Sequence, residues 1–259
     1  MEEVDVRRVV STVRGQLESE LFLGARWLPM AKPASGRKKT SGANKQSGGV
    51  KVSAARGAVR ADKQKRLDEI AGRVRACKGC PLHESRTQGV PGEGDPDARL
   101  MFVGEAPGAD EDAQGRPFVG RAGQLLTKII EAMGLRREDV FIANVLKSRP
   151  PGNRDPLMTE IEACIGYLYE QIEAIEPEVI VALGAHAART LLGTTESIGR
   201  LRGQVHSWQG EGMSRPVQLV ATYHPAYLLR SYSPENRLRV WKDMQMVLKE
   251  LGLPIPTKK

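Results

Sequence analysis

Aromatic side chains are scarce in this sequence: 5% of its 259 residues, with only four phenylalanines. A ring placed on a loop is therefore conspicuous. Cysteine is scarcer still, at three. An odd number excludes a fully paired disulfide set, and in a reducing compartment a close cysteine pair marks metal binding or redox work. Long apolar runs are missing. No stretch nears the roughly 18 residues that span a bilayer. The start, Met1-Glu2-Glu3-Val4-Asp5, lacks the basic and apolar regions of a secretory signal. A cytoplasmic monomer with no membrane association is expected.

Acidic residues are nearly absent from one segment. Between residues 32 and 66 eleven basic side chains face Asp62 alone, so the rest of the chain is slightly acidic although the whole carries +8. The basicity therefore belongs to a tract rather than to a site. From Pro33 to about Asp62 the residues are mostly Gly, Ser, Ala, Lys and Arg, too poor in large apolar groups to order themselves. This reads as a flexible basic linker: either a solvated tether, or an arm adding salt-sensitive, non-specific affinity for DNA. Before it, Val6, Val9, Val10, Val13, Leu17 and Leu21 recur at helical spacing and predict an amphipathic helix over 3–22. The expected organisation is a helical segment at 1–30, a linker at 31–62 and a folded domain at 63–259.

Within that domain apolar runs alternate with amphipathic stretches. They predict strands over 99–104, 140–146, 178–183 and 217–222, and helices over about 64–76, 121–133, 158–175, 185–192 and 235–251. Such alternation implies an α/β fold in three layers, α/β/α, around a four-stranded parallel sheet. Ligands in open sheets of this kind sit beyond the carboxyl ends of the strands. Those ends carry Gly104-Glu105-Ala106-Pro107-Gly108, then Asn144, Gly184 and His224-Pro225. A glycine turn, an amide and an imidazole thus converge on one rim.

Each group has a plain structural reading beside a chemical one. Phe118, between two glycine-rich turns, is either a plug packed on the core or a stacking platform for a planar ligand. Asn144 is a strand-end cap or a reader of a base edge, since its amide offers both a donor and an acceptor. His224 is a structural histidine or a donor to developing negative charge. Cys77-Lys78-Gly79-Cys80 places two sulfurs near enough to share a metal centre, with Cys164 far downstream as a third. A thioredoxin-like redox role lacks the flanking strand and helix it needs.

Taken together, these residues resemble the family-4, iron–sulfur type of uracil-DNA glycosylase. The likeness runs from about Ala76 to Leu251. It rests on Cys77 to Cys80, Gly104 to Gly108, Glu111-Asp112, Gly115 to Gly123, Asn144-Val145-Leu146-Lys147, Arg149 to Asp155, Glu162-Ala163-Cys164 and His224 to Arg230. The resemblance implies that uracil flipped out of DNA stacks on Phe118 and is read by Asn144, with Gly104 and Ala106 lining its pocket. It implies that His224 donates to uracil O2, and that Glu111 and Glu105 orient water or steady the sugar cation. Ala106 stands where other branches of the superfamily carry a water-activating Asp. The resemblance also implies a 4Fe-4S cluster on Cys77, Cys80 and Cys164. The family's remaining cluster cysteine is Ser148 here, which predicts a labile or incomplete cluster, or its loss. Two other readings remain: a non-catalytic DNA-binding relative, and a metal-stabilised recruitment module. The second would need the cysteines but not Phe118, Asn144 and His224 on one rim.

Overall fold

A computed structural model describes residues 49–210, 213, 215–231 and 233–256, with side chains from 57 onward. The expected helix over 3–22 and the linker up to residue 48 lie outside the described residues. Ala54 onward belongs to one compact unit.

Helix α1 runs from Gly49 to Ala76. It begins well upstream of Gln64, so residues 49–62 are helical rather than the coil expected of them. Two causes are visible. Four alanines, two arginines and a lysine make up half of this stretch and are strong helix formers. The basic side chains also find partners: Arg60 pairs with Asp95 and Asp97 at 2.5 and 3.2 Å, and Lys63 donates to the Ile175 carbonyl at 2.9 Å. Further along, Leu67, Ile70 and Val74 recur at helical spacing and are buried against the sheet.

The sheet has six strands: β1 (Glu93–Gly94), β2 (Leu100–Gly104), β3 (Phe141–Asn144), β4 (Val179–Leu183), β5 (Val205–Trp208) and β6 (Val217–Thr222), in the order β1-β3-β2-β4-β6-β5. The four expected strands form its parallel centre, and the expectation of a purely parallel four-stranded sheet is corrected at both edges. There β1 and β5 pair antiparallel to β3 and β6. Neither edge strand is a continuous apolar run: β1 is two residues long, and β5 is half-exposed over Val205 to Ser207.

Both faces of the central strands are buried, which is why they read as unbroken apolar runs. Met101, Val103, Ile180, Ala182, Leu219 and Ala221 join one core cluster with α1, α5 (Met158–Ile175) and α6 (Ala185–Leu192). Alternate residues, including Leu100, Phe102, Val181 and Val220, are equally buried outside that cluster. Helix α9 (Pro234–Glu250) packs on β4 and β6 without contributing to it. The remaining α-helices among the described residues are α2 (Leu82–Ser85), α3 (Ala109–Gln114), α4 (Arg121–Ala132), α7 (Ile198–Leu201) and α8 (Pro225–Arg230). Among the described residues no helix is long and apolar enough to cross a membrane.

Candidate active site at the strand ends

Parallel pairing sets Gly104 of β2 beside Asn144 of β3. Gly104 is needed there because of what surrounds it. A Cβ at this position would lie 2.3 Å from Asn144 Oδ1 and 2.5 Å from Phe118 Cζ. The missing side chain lets the amide and the ring close over the strand end. Asn144 is 2% exposed, and its Oδ1 accepts no hydrogen bond, alone among the buried side-chain polar atoms of the described residues. Such an orphan costs free energy on the order of 1–3 kcal/mol, and it lies at Gly104 beside the Phe118 ring.

Phe118 is held in a strained conformation. Its φ of 51° lies in the left-handed region, unusual for a bulky residue. The restraint comes from Glu111, whose carboxylate takes backbone N–H groups from Gly108, Val119 and Gly120 at 3.1, 2.8 and 2.9 Å. Gly123 lets the helix that follows press on the Phe118 backbone, since a Cβ there would fall 1.9 Å from the Phe118 carbonyl. The buried Phe118 ring meets the His224 ring with centroids 5.7 Å apart, tilted by 33°.

His224 ends the loop after β6 and caps α8, accepting the Ala226 N–H on Nδ1 at 3.1 Å. That bond requires Nδ1 to be unprotonated and puts the proton of the neutral ring on Nε2. Burial, and secondarily the Arg230 charge, pushes this imidazole down to about 4, so it is neutral at ordinary pH. Gly184, with φ of 91°, leaves room for it: a Cβ there would lie 2.9 Å from that of His224. The preceding strand end is pinned by Thr222, which donates to buried Asp243 at 2.6 Å, while Arg202 holds the same carboxylate at 2.7 and 3.0 Å.

Glu105 and Ala106 follow Gly104 and are half-buried. The Glu105 carboxyl is raised above the usual range, first by burial and then by the charge of Asp155, with His186 opposing. Glu105, Asp155 and His186 bring their polar atoms within 4.8 Å of one another.

The three cysteines also converge. Cys77, Cys80 and Cys164 line one recess with His83, Arg86, Lys147, Ser148 and Tyr167. Cys164 Sγ accepts the Lys147 N–H at 3.1 Å, and Cys77 Sγ accepts that of Gly79 at 3.4 Å. Arg86 donates to Ser148 Oγ at 2.7 Å and to the Cys77 carbonyl at 2.7 Å. Lys147 joins this recess to the strand-end rim. Its buried ammonium donates to the Asn144 carbonyl at 2.8 Å and to Gln171 at 2.7 Å, and burial pushes it down to about 7.

Phe118, Asn144, His224, Gly104 and Glu105 therefore share one rim, and the cysteines line the recess that Lys147 joins to it. Sequence reasoning named Lys147 and Asp155 as motif residues without a role, and gave none to His186 or Asp243. Lys147 had a legible signal, a lysine directly after the apolar pair Val145-Leu146. Asp155 and His186 had none, because only the fold brings them to Glu105.

The chain matches the model of the uracil DNA glycosylase superfamily over residues 91–245. It is 45% identical over 195 residues to a type-4 uracil-DNA glycosylase of Archaeoglobus fulgidus, covering 74% of this chain and 96% of that one. It is 48% identical over 180 residues to a type-4 uracil-DNA glycosylase of Thermotoga maritima, covering 69% and 91%. A type-5 uracil-DNA glycosylase of Pyrobaculum aerophilum is 36% identical over 157 residues, covering 54% and 66%.

Proposed function

The chain belongs to the uracil-DNA glycosylase superfamily, and from that membership we propose how its rim carries out the reaction. Like its type-4 relatives it excises uracil from DNA: water adds across the N-glycosidic bond and an abasic site remains. The reacting bond is inaccessible inside a duplex, so the nucleotide must leave the stack.

The observation that carries the assignment of roles is the orphaned Asn144 Oδ1. Uracil supplies the missing donor in its N3–H, and the Asn144 amide can donate to O4 in return. Cytosine presents a lone pair at N3 and an amino group at C4, so both contacts become repulsive. Phe118 offers its ring for stacking, and its strained backbone keeps the ring where the base arrives. As the C1′–N1 bond lengthens, negative charge grows on the base. His224, neutral with its proton on Nε2, donates to O2 without bringing a positive charge into the pocket; one such preorganised donor contributes about 3 kcal/mol. Glu105 is the carboxylate free to orient water, because Glu111 is occupied by three backbone N–H groups. Glu111 then acts on the reaction through Phe118.

The cysteine recess suits an iron–sulfur cluster in part. Three sulfurs open onto one space, and two of them accept backbone N–H bonds. The fourth position is Ser148, a poorer iron ligand than thiolate, and its oxygen already accepts from Arg86. Cys77, Cys80 and Cys164 would hold a 4Fe-4S cluster that is labile for that reason. The cluster would supply no step of excision; it would tie the segment after α1 to α5. The chain ahead of about residue 63 would act as an extension whose basic residues add salt-sensitive contact with DNA.

The test is excision from a labelled oligonucleotide carrying one uracil, with alkali to break the abasic site and a cytosine control. Wild type should cleave only at uracil. Asn144→Ala should lose at least ~10²-fold in rate on uracil. An Asn144→Ala protein of undiminished rate would refute the reading of that amide.

A further inference from the structure

We propose that Asp155 and His186 form a positioning pair for Glu105, steadying the carboxylate that works on water and setting the acid limit of excision. The proposal rests on Glu105 being that carboxylate. Three features of the fold build the pair. Glu105 leaves β2 directly after Gly104, at the rim where Asn144 and Phe118 meet. His186 lies in the first turn of α6, just past Gly184, the glycine packed against His224. Asp155 is carried on a loop clamped on both sides: Arg154 grips Glu160 at 2.6 and 2.9 Å, and Glu160 also accepts the Leu157 N–H at 2.9 Å. His186 Nε2 stands 3.5 Å from Asp155 Oδ2, and all three groups lie within 4.8 Å of one another.

Among the described residues, His186 from α6 and Asp155 from the loop are the charged groups that bear on Glu105, and they act with opposite sign. Burial makes the ionised carboxylate costly and Asp155 adds to that cost. The His186 imidazole works against both, lowering the carboxyl without cancelling them. Asp155 is largely exposed and His186 half-exposed, so the influence is modest and salt-dependent. Neither touches the reacting atoms; both act through Glu105.

The experiment is single-turnover excision against pH on a single-stranded uracil oligonucleotide at low salt. His186→Gln removes the group that lowers Glu105, so the acid limb should move up by about half a unit to one unit; Asp155→Asn removes the anion that raises it, so the limb should move down by a similar amount. His186→Lys puts a cation in its place and should restore the wild-type limb. Added salt should shrink both shifts. A merely structural role would lower the rate at every pH without moving the limb in opposite directions. Limbs that stay put, or that move the same way in both variants, would overturn the pairing. Glu105→Gln checks the premise separately: it should lose most of the rate and the acid limb with it. A Glu105→Gln protein with wild-type rate and limb would refute the role of Glu105 and the pair together.

Discussion

Replacing His224 by Asn tests whether this imidazole works as a neutral donor. Burial pushes it from 6.5 down to about 4. A histidine that prefers its neutral form in the fold weakens the native state as pH falls. The unfolded chain takes up the proton from about 6.5 downward, while the folded chain resists until about 4. Its contribution is therefore intact above the unfolded value and is lost on acidification through that window. Each unit corresponds to about 1.4 kcal/mol, so between about pH 8 and about pH 5 wild type should lose about 2 kcal/mol more than a protein without the titrating group. Asn suits the comparison because its oxygen can still accept the Ala226 N–H and cap α8. In a domain of this size about 2 kcal/mol corresponds to roughly 4–8 °C in Tm. Thermal unfolding followed by circular dichroism across that range should show wild type falling further than His224→Asn by that amount, while excision by the variant drops ~10²-fold. If the two melting profiles ran parallel, the ring would not be held neutral, and a donor without charge would be the wrong description of His224.

Two further changes separate structure from chemistry. Glu111→Ala strips the acceptor from three backbone N–H groups and should cost about 2–4 kcal/mol of stability along with excision; lost excision at unchanged Tm would return Glu111 to the handling of water. Ser148→Cys should make the anaerobically prepared protein keep its absorbance near 400 nm longer in air, with more iron per chain; equal iron content and decay in both proteins would show that Ser148 does not limit the cluster.

Much of the fold was legible because the central strands are buried on both faces. Leu100–Gly104, Phe141–Asn144, Val179–Leu183 and Val217–Thr222 stand out as apolar runs, and α4, α5, α6 and α9 follow the helical period closely. The edge strands were not legible. Glu93–Gly94 and Val205–Trp208 are strands because a neighbour's backbone needs pairing, not because of their own composition. The start of α1 was misread for a related reason. Composition measures apolar burial, whereas residues 49–62 are helical by propensity and are anchored by Arg60 and Lys63.

The sequence by itself determined the chemistry available: which rim the glycine turn, the amide and the imidazole occupy, and that the thiols number three. Residue type and strand-end position suffice for that, because a parallel sheet brings the ends of its strands to one edge. The tertiary structure decided how each group is used. It left Asn144 Oδ1 without a donor, engaged Glu111 with backbone, put the proton of His224 on Nε2, and brought Asp155 and His186 to Glu105. Protonation, hydrogen-bond vacancy and local charge depend on distances between residues far apart in the chain, and only the folded packing sets those distances.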